Sequence, residues 1–142
     1  MKKLLLIVIA LITFVPMTNA QIQKKSSTKK ETIISLRMGY MTLIVSDGYY
    51  YLTMLTTNQF DDAMILKLGN SKESAMQSLT DLIEIASTIE TSECVEIDNG
   101  YGRTMRIYKG GMGGISIYAD GYAGSANTSK SEFNKMLNAL TK

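Results

Sequence analysis

Hydrophobic and polar residues alternate with a period of two over much of this chain and switch to a period near 3.6 in two stretches. Met41, Leu43 and Val45 alternate with Thr42, Ile44 and Ser46, and Tyr50, Leu52 and Met54 alternate with Tyr49, Tyr51 and Thr53. Period two is the signature of a strand whose successive side chains leave opposite faces of a sheet. The join between the two runs is Asp47-Gly48, a dipeptide suited to a two-residue hairpin in which both positions need positive φ. That turn predicts Ser46 opposite Tyr49, Val45 opposite Tyr50, Leu43 opposite Leu52 and Met41 opposite Met54. One face then collects the aliphatic residues, and the other carries Thr42, Ile44, Tyr49, Tyr51 and Thr53.

A second meander is predicted between residues 94 and 118. Val95 and Ile97 share one face; Met105 and Ile107 alternate with Thr104, Arg106 and Tyr108. A loop of Gly100 to Gly102 pairs Val95 with Ile107 and Ile97 with Met105, which keeps apolar faces together and sets Glu96 across from Arg106. The glycine-rich segment Gly110-Gly111-Met112-Gly113-Gly114 then brings Ile117 opposite Ile107 and Tyr118 beside Arg106. Met64, Leu66 and Leu68 mark one further strand.

Helical periodicity appears in Ala75, Met76, Leu79, Leu82, Ile83, Ala86 and Ile89, and again in Phe133, Met136, Leu137 and Leu140. Asn70 with Glu73, and Ser129 with Glu132, offer start signals for the two helices. The expected fold class is α+β: a single antiparallel sheet of about six to seven strands in βββα-βββα order, with two helices packed on one face. Both helices open with Ser-Lys and carry leucines at matching offsets, a weak sign of an old duplication that ordinary capping and amphipathicity already explain.

The first twenty residues read differently. Lys2 and Lys3 precede an apolar run from Leu4 to Val15, followed by Pro16 and the small-residue end Thr18-Asn19-Ala20, the layout of an export signal cut after Ala20. The run is short of the roughly 20 apolar residues that a spanning helix needs. The expected organisation is a signal over 1–20, a flexible basic leader over 21–31 and one domain over 32–142. The expected location is outside the cytoplasm, periplasmic or extracellular, with no membrane attachment once the signal is removed.

Charge and composition narrow the chemistry. From residue 31 onward nine basic residues face thirteen acidic ones, a net of −4 that repels phosphate backbones, so no nucleic-acid partner is expected. The chain has no His, which removes Ser-His and Cys-His nucleophiles and imidazole metal ligands. Its single Cys94 reads as a half-buried strand residue in preference to a reactive thiol or an intermolecular disulfide. The Gly110–Gly114 run lacks a following Lys-Ser/Thr and helix, so it reads as a hairpin loop and not a phosphate cradle. Asp61-Asp62 and Asp98-Asn99-Gly100 are explained by turn chemistry. Of the ten methionines, only Met38, Met41 and Met112 come into question as a thioether metal site, and core filling accounts for the rest. No catalytic residue, metal or cofactor is expected.

What remains is the uncovered sheet face. The registers gather Ile44, Tyr49, Tyr51, Tyr108 and Tyr118 there with Arg106, where an exposed antiparallel face ordinarily carries Thr, Lys, Glu and Ser. Tyr and Arg are enriched at interface hot spots, so these six residues form the expected binding surface. The expected function is an exported non-enzymatic domain acting by protein–protein contact, including contact with a second copy of itself. A secreted or periplasmic inhibitor of another protein is the alternative, and a hydrolase working with carboxylates alone is the less favoured third.

Overall fold

The structure is a computed structural model, and it describes residues 29–142. The export signal expected over 1–20 and all but the end of the leader expected over 21–31 lie outside the described residues.

Among the described residues, eight strands and two α-helices follow one another as β1 (Lys30–Leu36), β2 (Met41–Ser46), β3 (Tyr49–Met54), β4 (Met64–Gly69), α1 (Lys72–Thr88), β5 (Cys94–Asp98), β6 (Thr104–Lys109), β7 (Ile115–Ala119), β8 (Ala126–Thr128) and α2 (Lys130–Thr141). Each half is a four-stranded antiparallel meander followed by a helix. The single sheet expected from the sequence is therefore corrected to two sheets of four strands, ordered β1-β2-β3-β4 and β5-β6-β7-β8. The helix between β4 and β5 is a crossover, and nothing in the hairpin pattern on either side places those two strands together.

Where the sheets do meet, one residue joins them. The Lys67 N–H donates to the Asn99 carbonyl at 3.0 Å, and the Asn99 carboxamide donates to the Ile65 carbonyl at 3.4 Å. These two bonds bracket Leu66 as a single rung of a parallel ladder would. Beyond that rung the two edges leave a narrow cleft of about 160 Å³ whose lining includes Leu66, Leu68, Ile85 and Ile97.

The hairpin registers follow the turn chemistry. Positive φ at Asp47 and Gly48 (51° and 77°) gives the two-residue turn, and Met41 pairs with Met54, Leu43 with Leu52, Val45 with Tyr50 and Ser46 with Tyr49. In the second sheet Val95 pairs with Ile107, Glu96 with Arg106, Ile97 with Met105, Ile117 with Ile107 and Tyr118 with Arg106. Two strands escape the alternation rule. β1 opens at Lys30, inside the segment read as leader, and a register shift between Thr32 and Ile34 sets Ile33 and Ile34 side by side, which hides its period. β8 is three residues long and made of Ala126, Asn127 and Thr128.

One core serves both halves. Met41, Leu43, Leu52 and Met54 from the first sheet join Met105, Ile107, Ile115 and Ile117 from the second, under Leu79 and Leu82 of α1 and Phe133 and Met136 of α2. The cap of α1 is Ser71, whose hydroxyl accepts from the Ser74 N–H, and not the expected Asn70 with Glu73. At α2 the cap residue is Ser129, but its hydroxyl accepts no capping bond and Glu132 does not reach back to the Ser129 N–H. Glu132 is instead paired with Arg37, and the Thr128 and Ser129 hydroxyls donate to it at 3.1 and 3.3 Å. Burial pushes the Glu132 carboxyl up, yet Arg37 and the two hydroxyls outweigh it and hold the carboxyl below its ordinary value.

A clasp between corresponding loops completes the joining of the halves. The β3–β4 loop and the β7–β8 loop exchange bonds from Thr57 N–H to Ser125 C=O (2.9 Å) and from Ser125 N–H to the Thr57 hydroxyl (3.3 Å). The Asp61 carboxylate accepts from the Gly124 N–H at 2.8 Å and the Ala123 N–H at 3.2 Å. This corrects the reading of Asp61 as a purely local turn residue. Local bonds from Thr56 and Asn58 are present as well (2.9 and 3.3 Å), but the carboxylate's reach is to the other half of the chain.

Candidate functional site

Strand pleating sends the helix-facing side chains into the core and leaves the opposite face of both sheets uncovered by any described element. On the first sheet, cross-strand neighbours and the turn at Asp47-Gly48 put Tyr49 and Tyr51 side by side, with ring centroids 6.4 Å apart and planes tilted by 40°. Tyr101, from the β5–β6 loop, stacks on Tyr51 at 6.4 Å and 16°. The Lys67 ammonium lies 3.8 Å from the centre of the Tyr49 ring, a close cation–π contact. Ile65 shares this face, opposite Thr53, and is exposed.

Tyr101 reaches Tyr51 because Asn99 anchors its loop. The Asn99 side-chain oxygen accepts from the Tyr101 N–H at 2.9 Å and the Arg103 N–H at 3.1 Å. Gly100 lies so close to Lys67 that an added Cβ would stand 2.6 Å from the Lys67 Cβ. The rung that joins the sheets therefore also places the third ring of the stack. Desolvation among these rings, then the Tyr101 hydroxyl and nearby negative charge, push Tyr51 up to about 12. Its phenol stays protonated through the physiological range.

On the second sheet Tyr108 and Tyr118 form an edge-to-face pair, centroids 5.6 Å apart and planes at 84°. Arg106 stands beside them, opposite Tyr118 and Glu96. Its Nε donates to Glu96 at 3.0 Å and its Nη1 to Asp120 at 2.8 Å. Asp120 first, then Glu96, holds the guanidinium even more firmly protonated than usual. Cys94 pairs with Tyr108 across the strands. It is exposed, which corrects the half-buried reading, and its nearness is the main cause raising the Tyr108 phenol above its ordinary value.

The six expected residues thus fall into three groups. Tyr49 and Tyr51 belong to one aromatic cluster, and Tyr108, Tyr118 and Arg106 to another; among the described residues no ring–ring contact links the two. Ile44 points to the same side but is only 7% exposed, between its cross-strand partners Thr32 and Tyr51, so it supports the face from within. Arg106 is committed to its two carboxylates. Sequence reasoning missed Tyr101, Lys67 and Ile65. Lys67 and Ile65 follow from carrying the period of Met64, Leu66 and Leu68 onto the intervening residues, whereas Tyr101 needs the contact between sheets.

Among the described residues no three His, Cys, Asp or Glu side chains stand close enough to hold a metal ion. Met41 is fully buried in the core, whereas Met38 and Met112 are fully exposed on loops, so Met41 does not join the other two at the surface. No described helix is long and apolar enough to cross a membrane. Comparison with protein-family models, with curated proteins and with solved structures finds no match to this chain.

Proposed function

We propose that this chain is an exported, non-enzymatic domain that works by protein–protein contact through its tyrosine-bearing sheet face, and that a second copy of the same chain is its partner. The observation that carries the reading is the packing of Tyr49, Tyr51 and Tyr101 on one another and on Lys67, away from the core. Rings held in this way offer amphipathic contact area whose rotamers are already fixed, so less entropy is lost when a partner arrives. The charge on the face favours self-contact. Lys67 and Arg106 stand among Glu96, Asp98 and Asp120, a mixture of both signs that a copy of itself does not repel. A two-fold interface using the same patch twice is the simplest closed arrangement, and about 800 Å² per partner is the usual size of a stable one.

The test is light scattering of the purified protein, wild type against Tyr51→Asp with Tyr118→Asp. A dimer for the wild type and a monomer for the double variant, both with the same circular dichroism, is expected. A wild type that remains monomeric at concentrations on the order of 100 μM overturns the self-contact reading, because specific interfaces of this size ordinarily bind more tightly than that.

A further inference from the structure

Two loop tips carry methionines that stand open to solvent. Met38 is 107% and Met112 110% exposed, as open as the residue can be. Both occupy left-handed backbone, with φ of 55° and 53°, and each is followed by a glycine that is itself at positive φ. Left-handed φ is costly for a side chain other than glycine, so the turns hold these residues outward at some expense to the backbone. The tips share one end of the molecule. Arg37, just before Met38, donates to the Asn127 carbonyl at 2.8 Å and pairs with Glu132, and Gly114, two residues after Met112, packs beside the Thr128 carbonyl.

The other described methionines are in the opposite situation. Met41, Met54, Met64 and Met136 have no exposed surface, Met105 has 1%, and Met76 is half-buried. Oxidation of a thioether follows the access of the oxidant to sulfur, so the fold itself sorts these side chains into open and shielded classes. We infer that, among the described residues, Met38 and Met112 are the sites at which this chain is reversibly oxidised to methionine sulfoxide by hydroperoxides. In the step, a sulfur lone pair attacks the distal peroxide oxygen and the O–O bond breaks. The sulfur becomes a sulfoxide, and with hydrogen peroxide the remaining oxygen leaves as water. At either tip the new oxygen faces solvent, so the reaction turns two apolar points at one end of the molecule polar while the core stays intact.

The experiment is a time course of the folded full-length protein in hydrogen peroxide, read by peptide mass spectrometry, in a Cys94→Ser background so that the exposed thiol does not compete. One oxygen at Met38 and one at Met112, appearing before any at Met41, Met54, Met64, Met105 or Met136 and with an unchanged circular dichroism spectrum, is expected. In urea the difference between the classes disappears. Methionine sulfoxide reductases of both epimer specificities then return the folded protein to its starting mass. Equal rates for open and core methionines in the folded protein overturn the inference. So does a difference that persists in urea, or sulfoxides that the reductases fail to remove. Met38→Leu with Met112→Leu checks the assignment independently, since early oxygen uptake within residues 29–142 then vanishes.

Discussion

Replacing Asn99 by Ala tests whether one residue couples the union of the two sheets to the arrangement of the tyrosines. Asn99 is 7% exposed, and its side chain accepts from the Tyr101 and Arg103 N–H groups at 2.9 and 3.1 Å and donates a longer bond to the Ile65 carbonyl at 3.4 Å. A buried hydrogen bond contributes about 1 kcal/mol net, and a group left unpaired costs about 1–3 kcal/mol. Two good bonds and one weak one therefore predict a loss of roughly 2–3 kcal/mol, a large share of the 5–15 kcal/mol typical of a domain. The backbone bonds from Asn99 to Arg103 and from Lys67 to Asn99 do not involve the side chain, which keeps the estimate from rising further. Urea unfolding monitored by circular dichroism measures the loss as a lower midpoint at unchanged slope. Hydrogen exchange adds the local readout: the Tyr101 and Arg103 amides lose protection, while those of β2 and β3 change only as far as global stability does. Asn99→Asp retains an acceptor for both amides but turns a carboxylate toward the Ile65 carbonyl, so it restores the loop without restoring the junction. A loss below about 0.5 kcal/mol for the alanine variant, with both amides still protected, would refute the coupling.

Two other consequences follow from the clasp. The Gly124 N–H, against some desolvation and with help from the Thr56 hydroxyl and the Ala123 N–H, holds the Asp61 carboxyl below its ordinary value of 3.8. A folded-state value below the unfolded one means stability that is present above the ordinary value and lost as pH falls through the depressed folded value. Unfolding midpoints measured from about pH 6 downward should therefore drop more steeply near and below that value for the wild type than for Asp61→Asn, and identical acid limbs would count against the reading. Gly124 itself leaves no room for a side chain, because a Cβ there would stand 2.6 Å from the Asn58 nitrogen and 2.9 Å from the Thr56 hydroxyl. Gly124→Ala is expected to cost about 1–3 kcal/mol in urea unfolding, whereas Gly111→Ala, with nothing within 4 Å, stays within about 0.5 kcal/mol of wild type.

The hairpins were legible in the sequence because short turns and alternation act together. Once Asp47-Gly48 sets the first pair, every strand side chain from Met41 to Met54 has a determined face, and the same holds for the strand residues between Val95 and Tyr118. Legibility failed where structure depends on distant partners. The bulge in β1 breaks the alternation at Ile33, and β8 is too short to show any. Asp61 looks like an ordinary turn residue until the loop it grips is known, and Tyr101 looks like a loop residue until Tyr51 is beneath it. For the candidate site this meant that the ring positions within each strand were readable. Their grouping into a stack and a separate pair was not, because it depends on how one meander meets the other.

The clasp also bears on the order in which the chain folds. Asp61 and Gly124 are 63 positions apart, while the β2–β3 and β6–β7 connections span only a few residues. Closing a short turn costs little chain entropy and takes on the order of microseconds, so each meander can start to form by itself. The interlocking of the β3–β4 and β7–β8 loops has to wait until both meanders and their helices have come together over the shared hydrophobic interior. Among the described residues, the segments 55–63 and 120–125 are then expected to be the last to become immobile during folding.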